Sequence, residues 1–446
     1  MAESKVSIAE VLDANRFTPY QAWICFLCFC VVLMDGFDLT AIGVTLPKIA
    51  DFLQSKPDAL GLAVGAGQLG PLLGAIVFGM LADRWGRKRT AAVSAVLFGL
   101  FTLLTAFITS VEQLALCRFL AGLGLGGAIP IALAYGCEYA PSRLRASLTT
   151  TMYAGMAFGS MGAGLLAAYM LPRFGWQSLY YVGGAVPVVV GFLVALFLPE
   201  SLAFLVRRGK DEAQVRKIIS RIAPSVARDD EVAFCSSEEK LPGVPVKHLF
   251  TQGRAFNTVL LWLLFFLSFY LIWILLSWAP TLLRQSGATV RQYSLAFACI
   301  NLGSAIATIT IGRLMDRFDP FRMLKVAFVL AFVSLVFFGV AANSPFIVIA
   351  AVSTVTGFFV FGGNSGIMAL ATISYPPEIR GTGIGWAYAV GKVGSMLAPV
   401  VGGMLLSRNW SVSQICGANA VAALLVAGAI VILQRHVSSA GAQDAG

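Results

Sequence analysis

Apolar runs of about twenty residues, parted by polar breaks, recur twelve times along the chain. They cover approximately 23–46, 59–82, 90–110, 112–136, 147–171, 177–198, 256–282, 293–312, 323–342, 345–371, 382–406 and 412–433. A helix needs about 20 apolar residues to cross a hydrocarbon core, so each run predicts one spanning helix. One long hydrophilic stretch divides them six and six. Within it, Ser201–Ile222 reads as an amphipathic helix lying on the membrane face, and Ala227–Lys240 as acidic, irregular chain. The organisation expected is an N-terminal segment (1–22), a bundle (23–199), a linker (200–255), a second bundle (256–433) and a tail (434–446).

The halves repeat each other. Gly79-Met-Leu-Ala-Asp83-Arg84 follows the second run and Gly312-Arg-Leu-Met-Asp316-Arg317 the eighth, an offset of 233. Two loops later Pro141-Ser-Arg-Leu-Arg145 matches Pro376-Pro-Glu-Ile-Arg380 at 235. Parallel repeats imply two bundles related by an axis along the membrane normal, with a site between them at mid-depth. The fold class predicted is an all-α polytopic membrane protein, twelve transmembrane helices in two pseudo-symmetric six-helix bundles.

Composition agrees. Of 446 residues, 58% are hydrophobic and 12% charged, against about 25% charged in soluble domains. The net charge of +10 raises nucleic acid as a partner, but its distribution reads instead as a topology signal. With the N-terminus inside, inner segments hold 24 Lys and Arg and outer loops six, or 14 to six without the linker. Both termini are expected in the cytoplasm. The eight cysteines are scattered; Cys25-Phe-Leu-Cys28 has redox spacing but lies in an uncharged run, where thiols act as small hydrophobes. Met1–Gln21 is polar and acidic-containing, which does not read as a cleavable signal. No metal-ligand cluster, nucleophile–base pair or nucleotide loop appears, so neither an enzyme nor a cofactor is expected, nor an obligate protein partner.

Charge inside the spans is where chemistry is expected, because an ionised side chain at mid-bilayer costs about 2.5–3.5 kcal/mol on insertion scales. Asp35, Asp38, Arg118 and Lys392 qualify. Asp35 and Asp38 are three apart, on one helix face, about 18 and 22 Å into a core of about 30 Å. Desolvation and mutual repulsion favour the neutral form of at least one, as proton coupling requires; the alternative is a static ion pair. Arg118 enters the fourth run from the other side and reaches the depth of Asp38. Lys392 lies at mid-membrane in the second half, where no span carries an acid. Its partner is therefore a substrate carboxylate, or else it snorkels or pairs with the first helix. The two histidines, His248 and His436, lie outside the runs, so proton traffic falls to carboxylates.

Other residues are weaker candidates. Glu138, beside Arg143 and Arg145, forms with Asp83 and Arg84 a candidate inner gate; Asp316, Arg317 and Arg380 are the second half's counterparts. Trp386 and Tyr388 fall within two turns of Lys392, and Asn364 and Ser365 add polar groups to the tenth run. In the seventh run Trp262, Phe266, Phe269, Tyr270 and Trp273 recur at helical spacing, as a packing stripe or a ring-stacking surface. Trp278 and Trp410 read as interface anchors. The glycines of Gly122–Gly127, Gly155–Gly164 and Gly362-Gly363 read as sliding contacts between moving elements.

Gly79-Met-Leu-Ala-Asp83-Arg84-Trp-Gly86-Arg87-Lys88 resembles the loop motif between the second and third helices of the major facilitator superfamily. Asp35-Gly36-Phe37-Asp38 resembles the first-helix acidic motif of its aromatic acid:proton symporters. Arg118-Phe-Leu-Ala-Gly122-Leu-Gly124-Leu-Gly126, Glu138-Tyr-Ala-Pro141 and Glu378-Ile-Arg380-Gly-Thr-Gly383 fit the same family. The resemblance implies alternating access and proton-driven uptake of benzoate-like acids across a bacterial inner membrane. It makes Asp35 and Asp38 essential, and Asp83, Glu138 and Arg380 important. Two positions depart: Lys392 stands where the family usually has Arg, and Ile131 where it often has Asn. Symport of another small acid, a dicarboxylate or an aliphatic carboxylate, is the alternative. Drug efflux fits less well, because Ser160 occupies the place of the proline usual in antiporters.

Overall fold

In the computed structural model, the described residues are 4–208, 212–224, 232–235, 246–251, 254–375 and 377–443. Twelve helices among them are long and apolar enough to cross a membrane. In order these spans are Pro19–Leu53, Pro57–Trp85, Arg87–Phe107, Val111–Glu138, Ser142–Phe174, Gln177–Phe197, Ala255–Gln285, Val290–Met315, Pro320–Ala341, Phe346–Thr372, Ile379–Ser407 and Val412–His436. Most outrun the apolar runs because the helices continue into the flanking polar residues. Reciprocal capping boxes start the first and eighth spans: Gln21 N donates to Thr18 Oγ1 (3.4 Å) and Gln292 N to Thr289 Oγ1 (3.3 Å). The second span breaks into Pro57–Gly67 and Leu69–Trp85. Pro71 accounts for this, since it has no N–H to offer Gly67 and its ring crowds that carbonyl.

Two differences fall on the hydrophilic segments. The single amphipathic helix expected over Ser201–Ile222 is two, Leu202–Arg208 and Glu212–Ile222, with 209–211 outside the described residues. The second buries Val215, Ile218, Ile219 and Ile222 against the first bundle. Inside the stretch read as irregular, Val232–Cys235 pairs in parallel with Ser4–Ser7; the rest of that stretch lies outside the described residues.

The bundles meet where the repeat's symmetry brings equivalent positions together. Gly43 of the first span packs on the Leu276 carbonyl of the seventh. Arg284 Nη2 reaches Asp51 Oδ2 (2.7 Å) and its Nη1 the Pro47 carbonyl (2.5 Å). Both pairs, 43 with 276 and 51 with 284, are separated by the repeat offset of 233. Ser407 Oγ accepts from Asp58 N (3.0 Å), and Gly164 packs on Ala298. All these contacts lie in the half of the molecule away from the termini, called here the far half; the face bearing the termini is the terminal face.

Two expectations about packing are corrected. Most of the clustered glycines serve contacts within a bundle: Gly122 and Gly126 face Pro71, Gly124 faces Phe98, Gly155 and Gly159 face Phe29 and Leu33, and Gly363 faces Phe328. Among the cited clusters Gly164 is the one that touches the other bundle. Trp278 is no interface anchor either. It is 1% exposed and its indole donates to the Pro399 carbonyl at 3.0 Å. Trp410 is exposed.

Candidate functional site

Asp38 is 1% exposed, with its charge answered inside its own bundle. Arg118, from the fourth span, donates through Nη1 to Oδ1 at 2.9 Å and through Nη2 to Oδ2. Thr102 of the third span adds a hydroxyl to Oδ1 at 3.3 Å. The planar fork of guanidinium on carboxylate is the strong form of this bond. Behind it, the Tyr180 hydroxyl hydrogen-bonds Thr45 Oγ1 at 2.9 Å.

Asp35 lies one helical turn earlier, about 60° round the axis from Asp38, and that angle changes its surroundings. It is 2% exposed, yet its Oδ2 has no hydrogen-bond partner. Lys392, from the eleventh span across the bundle boundary, is its charged neighbour of opposite sign. Gly36 fixes the rotation: a Cβ there would run into the backbone of Met156 on the fifth span, and Ser160 Oγ donates to the Gly36 carbonyl at 2.8 Å. Ser160, read above only as a missing proline, thus clamps the helix between the two acids.

Lys392 is half-buried, its Nζ 5.4 Å from the centroid of the Tyr388 ring. Tyr388 meets Phe269 edge-on at 5.1 Å. Tyr153, on the fifth span, is an ionisable neighbour of both Asp35 and Tyr388. Trp386 stacks on Trp262 with centroids 6.0 Å apart, and Phe269 on Phe265 at 6.3 Å. Asn364 accepts from Ser268 Oγ at 3.0 Å, tying the tenth span to the seventh. Ser365 spends its hydroxyl on the Phe361 carbonyl of its own helix. The aromatic stripe of the seventh span therefore divides: Trp262 and Phe269 turn to the eleventh span, and Tyr270 bonds Asn419 of the twelfth at 2.7 Å.

The inner cluster is built differently from expectation. Glu138 pairs with Arg87 and accepts from Ser201 Oγ at 2.5 Å. Arg143 instead donates to the Asp13 and Asn15 carbonyls, both at 2.8 Å, and Arg145 is exposed. Asp13 accepts from Ser142 N at 2.6 Å, which with the two arginines holds its carboxyl below the usual range. The helix end at Glu138 points back at the start of the third span, whereas the turn at Pro141 carries Arg143 away to the N-terminal segment. Every partner belongs to one bundle or its flanking chain. Asp83, Arg84 and Arg317 are exposed on the terminal face; Arg380 is exposed and donates to the Tyr375 carbonyl at 3.3 Å; the side chain of Asp316 lies outside the described residues.

Thr102, Tyr153, Arg87 and the Asp51–Arg284 pair were not singled out from sequence. The last had a signal, since its members stand at the repeat offset near the ends of symmetry-related spans. Arg87 had a weaker one, its place inside the Gly79–Lys88 loop motif.

Two six-helix bundles, with the buried Asp35 of one and the half-buried Lys392 of the other as charged neighbours, are the architecture of a polytopic membrane protein. A profile described as Major Facilitator Superfamily matches residues 28–289 and again 261–445. The 4-hydroxybenzoate transporter PcaK of Acinetobacter baylyi is 35% identical over 433 residues, covering 96% of this chain and 94% of its own. The gallate transporter of Pseudomonas putida is 30% identical, covering 91% and 90%. In fold, the chain is similar to a crystal structure of the D-xylose-proton symporter, with TM-score 0.72 at 17% identity over 93% of this chain and 97% of that one. The chain belongs to the Major Facilitator Superfamily and, within it, to the family of aromatic acid transporters.

Proposed function

We propose that this protein takes up an aromatic carboxylic acid, such as a hydroxybenzoate, together with protons by alternating access. It does so in a bacterial inner membrane with both termini in the cytoplasm. In this reading Asp35 is the proton-exchanging carboxylate, Asp38 and Arg118 are a fixed pair beside it that neutralise each other, and Lys392 receives the substrate carboxylate. Rings from Phe269, Tyr388 and Trp386 supply the flat apolar surface that an aromatic acid needs. The proton gradient is the driving force, and no cofactor is required.

The observation that carries the reading is Asp35 itself. It is a buried carboxylate with one oxygen unsatisfied, and its cationic neighbour Lys392 belongs to the other bundle. An unpaired buried charge is expensive, so protonation, or the approach of Lys392, relieves it. A substrate carboxylate that takes Lys392 away leaves Asp35 to be neutralised by a proton, which couples the two cargoes. With the termini inside, the contacts of the far half join the two bundles at the outer end.

The test is uptake of radiolabelled 4-hydroxybenzoate, other benzoates, a dicarboxylate and an aliphatic acid into proteoliposomes under an imposed pH gradient. Accumulation of benzoates, abolished by a protonophore, is expected. Accumulation that survives collapse of the gradient overturns proton coupling, and preference for the non-aromatic acids overturns the substrate class.

A further inference from the structure

A cleft of about 700 Å³ opens at the terminal face, away from the central site. One wall is the turn into the third span with Lys88 and Arg89; the other is the helix Glu212–Ile222. Gln214, Lys217 and Arg221 line it from that helix, spaced three and four apart and so on one stripe. That stripe lies beside the apolar face pressed on the bundle, so the helix cannot roll its cations away without exposing Val215 and Ile219.

Four cations meet one carboxylate in the cleft, and the carboxylate is occupied. Glu200 Oε1 accepts from Lys88 N and Ser201 N, both at 3.0 Å. Arg221 rests over the Tyr20 ring at 5.1 Å. Among the described residues the side chains of Lys88, Arg89 and Lys217 make no ion pair. The cleft thus holds, among the described residues, a surplus of positive charge.

Its rim says where the answering anion comes from. Trp85, Leu196 and Phe197, which end the second and sixth spans, line the same cleft and are 56, 73 and 55% exposed. A soluble anion has no use for such a border. A phospholipid does, because its phosphate reaches the cations while its chains run down the apolar span ends. The geometry points to a binding site for one anionic phospholipid, with its headgroup phosphate between Lys88–Arg89 and Lys217–Arg221 and its acyl chains along Leu196 and Phe197. Occupancy would fasten the linker helix to the first bundle.

The experiment is native mass spectrometry of the purified full-length protein titrated with phosphatidylglycerol or phosphatidylcholine of identical chains, and with inorganic phosphate as competitor. Phosphatidylglycerol is expected to be retained selectively. Each basic residue near a membrane surface contributes about fivefold in affinity, so Lys217→Ala with Arg221→Ala should weaken retention by about thirtyfold. Both positions are exposed, and an unchanged melting temperature checks folding. A second pair, Lys88→Gln with Arg89→Gln, tests the opposite wall and should act alike. Equal retention of the two lipids, or wild-type retention in both double variants, overturns the site; displacement by inorganic phosphate alone shows a soluble-anion site and overturns the lipid.

Discussion

Arg118 holds both oxygens of Asp38, whereas Asp35, one turn away on the same helix, keeps an oxygen without a partner. One helix face therefore carries a settled charge and an unsettled one. The settled pair lies wholly within the first bundle and can travel with it unchanged as the bundles rock. The unsettled acid has its cationic neighbour in the second bundle, so its electrostatic surroundings change whenever Lys392 moves.

Asp35→Asn is expected to abolish accumulation driven by a pH gradient while leaving equilibrium binding of the acid measurable. Asn cannot carry the proton, but it preserves the packing that Gly36 and Ser160 impose. Uptake assayed under an imposed gradient decides this, and wild-type accumulation in the variant removes Asp35 from the coupling step.

Removing the other acid should cost stability first. Asp38→Asn strands Arg118, and breaking a buried pair from one side typically costs about 3–5 kcal/mol. A lowered melting temperature with reduced uptake is expected. Arg118→Gln frees the Asp38 carboxylate to compete for protons, so the pH optimum of transport should shift. An unaltered pH profile counts against the pair as the setting for proton exchange.

For Lys392, the Ala variant should lose about tenfold or more in substrate affinity, the scale of one charged hydrogen bond. Lys392→Arg should retain binding, since the guanidinium supplies the same charge and can grip a carboxylate with two donors. Isothermal titration with 4-hydroxybenzoate reads the difference, and equal affinity in all three forms takes Lys392 out of the site.

Much of this was legible in the sequence, for identifiable reasons. Spans are set by hydropathy, which leaves few alternatives in lipid. The depth of Arg118 matched that of Asp38 because rise per residue is fixed. What stayed hidden depended on rotation about helix axes and on packing between bundles. Lys392 had Asp35 as its charged neighbour across the boundary, a reading left open alongside an external partner. Trp278 has the amphipathic ring of an anchor, and only the Pro399 carbonyl beside it shows that it is buried. The partner of Glu138 turned on the direction of the chain after Pro141, which charge adjacency does not reveal.

The far-half pair offers a way to bias the conformational equilibrium. Asp51 and Arg284 are partly exposed, so their pair is worth about 0–1 kcal/mol. Asp51→Asn should therefore raise opening on the far side by no more than about fivefold. Thiol labelling of Ser277→Cys, a buried position near that closure, measures it. Exchanging the charges, Asp51→Arg with Arg284→Asp, should bring labelling back toward the parent. A reagent rate unaffected by any of these changes means the pair does not help hold the far end shut.

The Glu138 cluster differs, because Arg87, Ser201 and Glu138 all belong to the first bundle and its trailing chain. If that clasp stabilises a bundle rather than bridging two, its members should be coupled to one another. Arg87→Gln and Glu138→Gln should each lower the melting temperature, and the double variant should be little worse than either. The coupling expected for residues in contact is about 0.5–3 kcal/mol. Arg145→Gln, whose side chain is exposed and lies away from Glu138 in this arrangement, should add independently to Glu138→Gln. Strong coupling of Glu138 to Arg145, with none to Arg87, would show that the partners exchange during the cycle and would return Glu138 to the role of a gate.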